Sequence, residues 1–173
     1  MSEFSESYHL QTTNPEDAID LLRRSKRKGY VYPAANGWVT FVVEGSEFTP
    51  LDPIVEANRG TLLHYVYAED HQWEFHIFQA QEEVCSYSCG WNDDDLLVDD
   101  EHLNLDVLSS LTGRPAEQFE PFFYPADIEQ VLGHSPAGRF AEMLGLTHFE
   151  WLSFDYVESD GPDNGVVVVE GSQ

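Results

Sequence analysis

Residues 61–91 read TLLHYVYAEDHQWEFHIFQAQEEVCSYSCGW, and this stretch decides the fold. Tyr, Val, Phe, Trp and Ile recur with polar residues between them, in three short runs parted by turn-like residues. That is the period-two pattern of a half-buried antiparallel meander.

Working outward, an internal repeat leads from the meander towards the N-terminus. Tyr30-Val31-Tyr32 and Trp38 recur as Tyr65-Val66-Tyr67 and Trp73, with an offset of 35 residues at every position. Each copy follows a helix signal closed by a glycine, Gly29 in the first and Gly60 in the second. Shared spacing of this kind points to a duplicated module of helix, strand, turn and strand.

The first helix signal is Asn14-Pro15-Glu16-Asp17: a capping Asn, a Pro in the first turn, then acids at the positive end of the dipole. Ala18, Leu21, Leu22 and Ser25 follow at helical spacing. Before it, residues 1–6 are expected to be loose and residues 8–13 to form a strand. After it, residues 30–33 and 38–44 make a hairpin around Ala34-Ala35-Asn36-Gly37, with Asn-Gly as the turn signal. Residues 46–51 are expected to form a further strand, and Asp52-Pro53 starts a second helix. The order strand, helix, strand, strand thus occurs twice. In element order this resembles the tandem modules of gyrase-inhibitor-like ligand-binding domains, a likeness that implies a fold and no residue roles.

Beyond Trp91 the composition changes. Asn92-Asp93-Asp94-Asp95 and Asp99-Asp100-Glu101 read as solvated acidic loops without the alternating ligands and central glycine of an EF-hand. Helices are expected over residues 103–111, 115–123, 126–132 and 136–144. The last is the best defined, with Ser135 as cap, Pro136 in the first turn and Gly145 as stop. Residues 148–157, HFEWLSFDYV, read as a strand returning to the sheet. The polar tail from Ser159 is expected to be flexible, its Val166–169 run included. The fold class is therefore α+β: an antiparallel sheet from two tandem strand-helix-strand-strand modules, plus C-terminal helices and a returning strand. One domain spans 1–173, with the duplicated sheet in 7–91, a mainly helical part in 92–158 and the tail in 159–173.

Composition bounds the function. A chain of 173 residues, 42% apolar and 13% aromatic, buries a sizeable core without disulfides or metal. Cys85 and Cys89 lie four apart on one expected strand, about 13 Å between Cα atoms at roughly 3.3 Å per residue, too far for a bridge. Reduced cysteines suit the cytoplasm. The N-terminus has no basic and apolar leader pattern, and no run reaches membrane-spanning length, so no membrane association is expected. Eight basic and 32 acidic residues give a formal charge of −24. Five of the positives, Arg23, Arg24, Lys26, Arg27 and Lys28, crowd one helix end, where cations suit the dipole. Between Arg59 and Arg114 there are twelve acids and no Lys or Arg. Such a field repels phosphate backbones and disfavours nucleic acid as a partner. It attracts a basic protein, as an inhibitor or immunity protein would.

A four-residue loop at 69–72 would set Tyr65 opposite His76 and Tyr67 opposite Glu74. A second turn at 81–82 would set His76 opposite Tyr87. One face would then carry Tyr65, Tyr67, Glu74, His76 and Tyr87, a carboxylate and an imidazole on an aromatic floor that suits a small polar ligand. A slip of one residue would scatter these groups over both faces. No nucleophile motif, glycine-rich phosphate loop or zinc spacing is present, so no catalytic residue, metal or cofactor is assigned. The expected function is that of an acidic, cytoplasmic, non-enzymatic binding protein that recognises a basic protein partner. The alternatives are a small-molecule sensor using the tyrosine face and, third, an enzyme using Glu74 and His76 as acid and base.

Overall fold

The computed structural model describes residues 2–92 and 95–171. In chain order the elements are strands β1 (Phe4–Leu10), β2 (Gly29–Val31), β3 (Val39–Val43), β4 (Thr61–Ala68), β5 (Gln72–Gln79), β6 (Glu82–Trp91), β7 (Leu96–Asp99) and β8 (Val167–Val169). The helices are α1 (Pro15–Ser25), α2 (Asp52–Ala57), α3 (Leu105–Thr112), α4 (Glu120–Phe123), α5 (Ile128–His134), α6 (Pro136–Leu144) and α7 (Phe154–Asp160). The protein is α+β, and its strands form one antiparallel sheet in the order β7-β6-β5-β4-β1-β3-β2-β8.

Within this sheet, β1 and β2 run parallel with β3 between them, and β3 and β4 run parallel with β1 between them. These are two split βαβ units sharing their strands. The two crossovers travel in opposite directions from oppositely directed strands. Right-handed connections therefore place α1 and α2 on the same face. There Ala18, Leu21 and Leu22 of α1 and Ile54 of α2 bury against Tyr8, Phe41 and Leu62. The C-terminal helices cover the other face, packing Leu108, Phe123, Phe140 and Leu144 on Tyr65, Trp73, Phe75 and Tyr87. In β4 both faces are buried, whereas in β5 Trp73, Phe75 and Ile77 are buried and Gln72, Glu74 and His76 are half-exposed.

A helix followed by two strands occurs as α1-β2-β3 and again as α2-β4-β5, and Trp38 and Trp73 belong to one core cluster. The two hairpins join differently: β1 is flanked by the second strand of the first hairpin and the first strand of the second.

Several boundaries differ from the sequence reading, each for a local reason. The N-terminal residues expected to be loose begin β1 at Phe4, because Phe4, Ser5 and Glu6 pair with Ala68, Tyr67 and Val66. The glycines at 29 and 60 do not stop the helices. Lys26 takes the left-handed conformation that ends α1 (φ 60°), and Asn58 follows α2. Gly29 instead lies in β2, where a Cβ would stand 2.5 Å from the Val42 carbonyl oxygen and 2.9 Å from Leu22 Cδ1. Asn36-Gly37 does make the hairpin turn, with φ of 54° and 82°.

Residues 46–51 form a loop and not a strand. Both sides of β1 are already paired, and the loop's N–H groups donate to side chains of that strand, Phe48 N–H to Glu6 Oε1 and Leu51 N–H to the Tyr8 hydroxyl. The strand expected over 148–157 is reduced to one backbone contact, Glu6 N–H to the Leu152 carbonyl. Ser153 then caps α7 by accepting from Tyr156 N–H. The tail expected to be flexible returns as β8 against β2, and buries Val169. Leu96-Leu97-Val98 forms β7 on the far edge. Of the acidic loop at 92–95, Asp93 and Asp94 lie outside the described residues.

Candidate ligand site

The five residues expected on one face are divided between two. Ala68 pairs with Gln72 across a three-residue loop, one shorter than the sequence reading supposed, so Tyr65 stands opposite Phe75 and Tyr67 opposite Trp73. On the next ladder Ala80, at φ 53°, closes a two-residue turn, and a bulge beside Phe78 sets Tyr87 opposite Phe75 and His76 opposite Ser86. A one-residue change of register moves every side chain to the other face.

Tyr87 therefore belongs to the core. It is buried and its hydroxyl donates to the Phe123 carbonyl at 2.8 Å. Glu74 and His76 lie on the α1–α2 side of the sheet, where they are partly buried. There His76 Nε2 is 3.3 Å from Glu74 and its Nδ1 is 2.9 Å from Glu83. Burial lowers the His76 pKa, and the hydrogen bonds and charges of the two carboxylates outweigh it, leaving a net rise.

Tyr65 and Tyr67 remain together, and they line a cavity of about 170 Å³ under the N-terminus of α6. Alternation along β4 aims both phenols at this face, and the ladder to β5 adds Trp73 beside Tyr67. Val131 of α5 and residues 135–138 close one side, while Phe149 and Glu150 from the loop after α6 close another. Phe149 meets Tyr65 edge-on, with planes at 80°. Glu3, just before β1, completes the lining. Ser5 Oγ–H and Trp151 N–H both donate to Glu3 Oε2, at 2.6 and 2.7 Å, and so fix the carboxylate.

The polar character of the cavity is unusual for an aromatic pocket. Trp73 is buried, and its indole N–H, itself closed off from the cavity, has no hydrogen-bond partner among the described residues. Such a group costs free energy. α6 begins at Pro136 after Ser135, whose side chain makes no capping bond, and its first backbone ladder bond is Arg139 N–H to the Ser135 carbonyl. The N–H groups of Ala137 and Gly138 precede that ladder. Burial raises the pKa of Tyr65, with Glu3, Tyr67 and Glu150 adding to the rise. Tyr67 is raised by burial and then by Glu69, Glu3 and Asp70. Glu3 and Glu150 line the cavity, and among the described residues no Lys or Arg does.

Two further polar clusters are internal to the fold. Glu6 bridges the Phe48 N–H and His64, with His64 Nε2 2.7 Å from Glu6 Oε2, and both side chains are buried. On the opposite face His9 joins Ser7 Oγ and Thr40 Oγ1, each at 2.8 Å. Burial holds His9 neutral, with a pKa of about 3. A serine beside an imidazole suggests nucleophilic chemistry, but Ser7 and His9 have no solvent exposure, so no substrate reaches them. Among the described residues no three His, Cys, Asp or Glu side chains gather as a metal site. A larger groove of about 410 Å³ runs between α1 and residues 58–60, past Arg24 and Arg59. It is open surface, and the Arg24 guanidinium there is bound to the Ala57 carbonyl.

Of the residues expected at a site, Tyr65 and Tyr67 line this cavity, whereas Trp73, Glu3, Phe149, Glu150 and residues 135–138 were not named with them. The Ser-Pro helix start at 135–136 was visible, but its place above the tyrosines depends on long-range packing. No family model, curated protein or solved structure matches the chain.

Proposed function

We propose that the protein is a non-enzymatic binding protein whose ligand occupies the cavity between the Tyr65–Tyr67 face and the start of α6. The observation that carries this is the cavity of about 170 Å³ itself, in which Tyr67 and Phe149 meet the carboxylates of Glu3 and Glu150. A binding site keeps a few placed polar groups among apolar walls. The volume is adequate: a cavity of roughly 150 Å³ already admits a benzene-sized molecule. The buried free thiols of Cys85 and Cys89 support residence in a reducing compartment such as the cytoplasm.

A thermal-shift screen with amines, amino acids, carboxylates and sugars tests the reading. Gly138→Leu serves as the blocked control, since a Cβ at Gly138 meets no atom within 4 Å and so leaves the fold undisturbed. At least one compound should stabilise the parent and fail on Gly138→Leu. A hit that persists undiminished on Gly138→Leu, or no hit at all, contradicts the proposal.

A second reading, recognition of a basic protein, is favoured by the sheet face that carries Glu74 and Glu83, within a stretch of twelve acids and no Lys or Arg. It predicts binding that weakens with salt and is lost on Glu74→Lys, with Gly138→Leu unaffected.

A further inference from the structure

We infer that copies of this chain join head to tail through the two edges of the sheet, the β7 edge of one copy taking the β8 edge of the next. This goes beyond the cavity and does not depend on it.

Both edges are open and apolar. β7 and β8 end the strand order, and among the described residues neither has a strand beyond it. Of the eight large apolar side chains left exposed among those residues, four lie on these two strands: Leu97, Val98, Val167 and Val168. Sheets that must stay single guard their edges with Lys, Pro or a covering segment. Neither β7 nor β8 carries a Lys, Arg or Pro.

The backbone groups on the two edges match. Bonded pairs alternate along an antiparallel ladder. Asn92 N–H donates to the Asp95 carbonyl, so Leu97 and Asp99 also bond to β6, and Leu96 and Val98 turn their N–H and C=O outwards. On β2, the Lys28 carbonyl and the Tyr32 N–H bond to β3. Gly29 and Val31 therefore bond Val169 and Val167 of β8, which leaves Val168 turned outwards. Paired residues share a face. Val98 lies with Cys89 and Trp73 on the side of the C-terminal helices, and Val168, through Tyr30 and Val42, lies on that side too.

Strand direction fits as well. All eight strands alternate, so β7 and β8 run in opposite directions. A second copy set beyond β7 in the same orientation continues the alternation. Val168 then stands opposite Val98, and each helix layer stays on its own side.

Charge selects this join over a two-fold one. Asp95 and Asp99 bound the apolar residues of β7, and residues 60–113 hold no Lys or Arg. The chain leaving β8 lies beside the basic segment, where a Cβ at Gly171 would stand 3.3 Å from the Lys28 nitrogen. Lys26 and Arg27 of that segment make no ion pair among the described residues. β7 against its own copy sets acid on acid, whereas β7 against β8 brings those acids towards Lys26 and Arg27. A join between unlike edges repeats, and with roughly 20–25° of twist per strand it winds into an open string.

Sedimentation velocity over a concentration series tests the inference, in moderate salt that screens the charge of −24 on each copy. The parent should grow past a dimer as its concentration rises into the millimolar range. Val98→Pro and Val168→Pro each remove one outward N–H that bonds nothing within the chain, a position where an edge strand accepts Pro. Each variant alone should stay monomeric. An equimolar mixture should form a heterodimer and stop there, since each supplies the edge that the other has lost. Melting temperatures near the parent's show that both fold, and Val98→Lys and Val168→Lys replace them, with the same expected result, if either does not. A parent that stays monomeric, or that stops at a dimer, overturns the inference. So does self-association of either variant alone, or a mixture of the two that stays monomeric.

Discussion

Tyr65 and Phe149 meet edge to face, their ring centroids 6.0 Å apart, although one lies in the middle of the sheet and the other in a loop beyond α6. Their corner frames the cavity, so the loop that carries Phe149 shapes the site as much as the strand does. Phe149→Leu removes one wall and keeps most of the apolar volume. Affinity for a compound found by the thermal-shift screen should fall, because the wall it packs against is gone. Stability should fall by less than about 1.5 kcal/mol. Titration beside a denaturant melt checks both.

The two histidine–carboxylate pairs on the α1–α2 side should respond differently to truncation. Glu6→Ala strands the buried His64 Nε2 and the Phe48 N–H together. Breaking a buried pair by removing one partner costs about 3–5 kcal/mol. His76→Ala removes a half-exposed group and should cost about 1 kcal/mol or less. Urea unfolding of the two variants separates them, and equal losses would mean that His76 also supports the core.

His9 should make the fold acid-sensitive above the range where carboxylates titrate. Its folded pKa of about 3 lies below the unfolded value near 6.5. Its contribution is therefore complete above pH 6.5 and is lost as the pH falls towards 3, by up to about 1.4 kcal/mol per pH unit. His148, lowered by burial, acts in the same direction. His76 opposes them, because a raised pKa gives stability that is present below pH 6.5 and lost as the pH rises through the folded value. His9→Gln isolates the first effect, and its stability should change less steeply than the parent's between pH 6.5 and 5.

Salt should raise the melting temperature. Two ion pairs between Lys or Arg and an acid occur among the described residues, Arg23–Asp20 and Lys28–Glu158, and neither involves residues 60–113. Like charges in that stretch repel over a screening length that shrinks to about 10 Å at 0.1 M. Differential scanning calorimetry from low to moderate salt reads the effect, and a flat or falling melting temperature would contradict it.

Local chemistry made much of this structure legible. Asn14 and Pro15 start α1, Asn36-Gly37 turns its hairpin, and Pro136 and Gly145 bound α6, although the expected cap Ser135 makes no capping bond. Period-two alternation marked β5 and β6 because only one of their faces is covered. What could not be read locally was register. The β4–β5 loop holds Glu69, Asp70 and His71, and nothing in those residues distinguishes three from four. That single residue carried Glu74 and His76 to the far face and brought Trp73 beside Tyr67. Residues 148–157 alternate like a strand, yet Ser153 caps a helix there. Val167–Val169 reads as a loose tail and becomes an edge strand only because β2 leaves an edge to pair with. The cavity joins Glu3 to Glu150, so its composition is a property of the whole chain.

The indole region of a ¹H–¹⁵N spectrum, recorded while a compound found by the thermal-shift screen is added, tests the cavity most directly. Trp38 and Trp73 share one core, but Trp38 Nε1–H already donates to the Leu144 carbonyl at 2.8 Å whereas Trp73 Nε1–H is unpaired. The resonance assigned to Trp73, by its loss in Trp73→Phe, should shift and saturate as the compound fills the cavity that Trp73 lines, while that of Trp38 stays in place. A Trp73 resonance that does not move at any concentration of the compound, or one that moves equally in Gly138→Leu, would contradict the account.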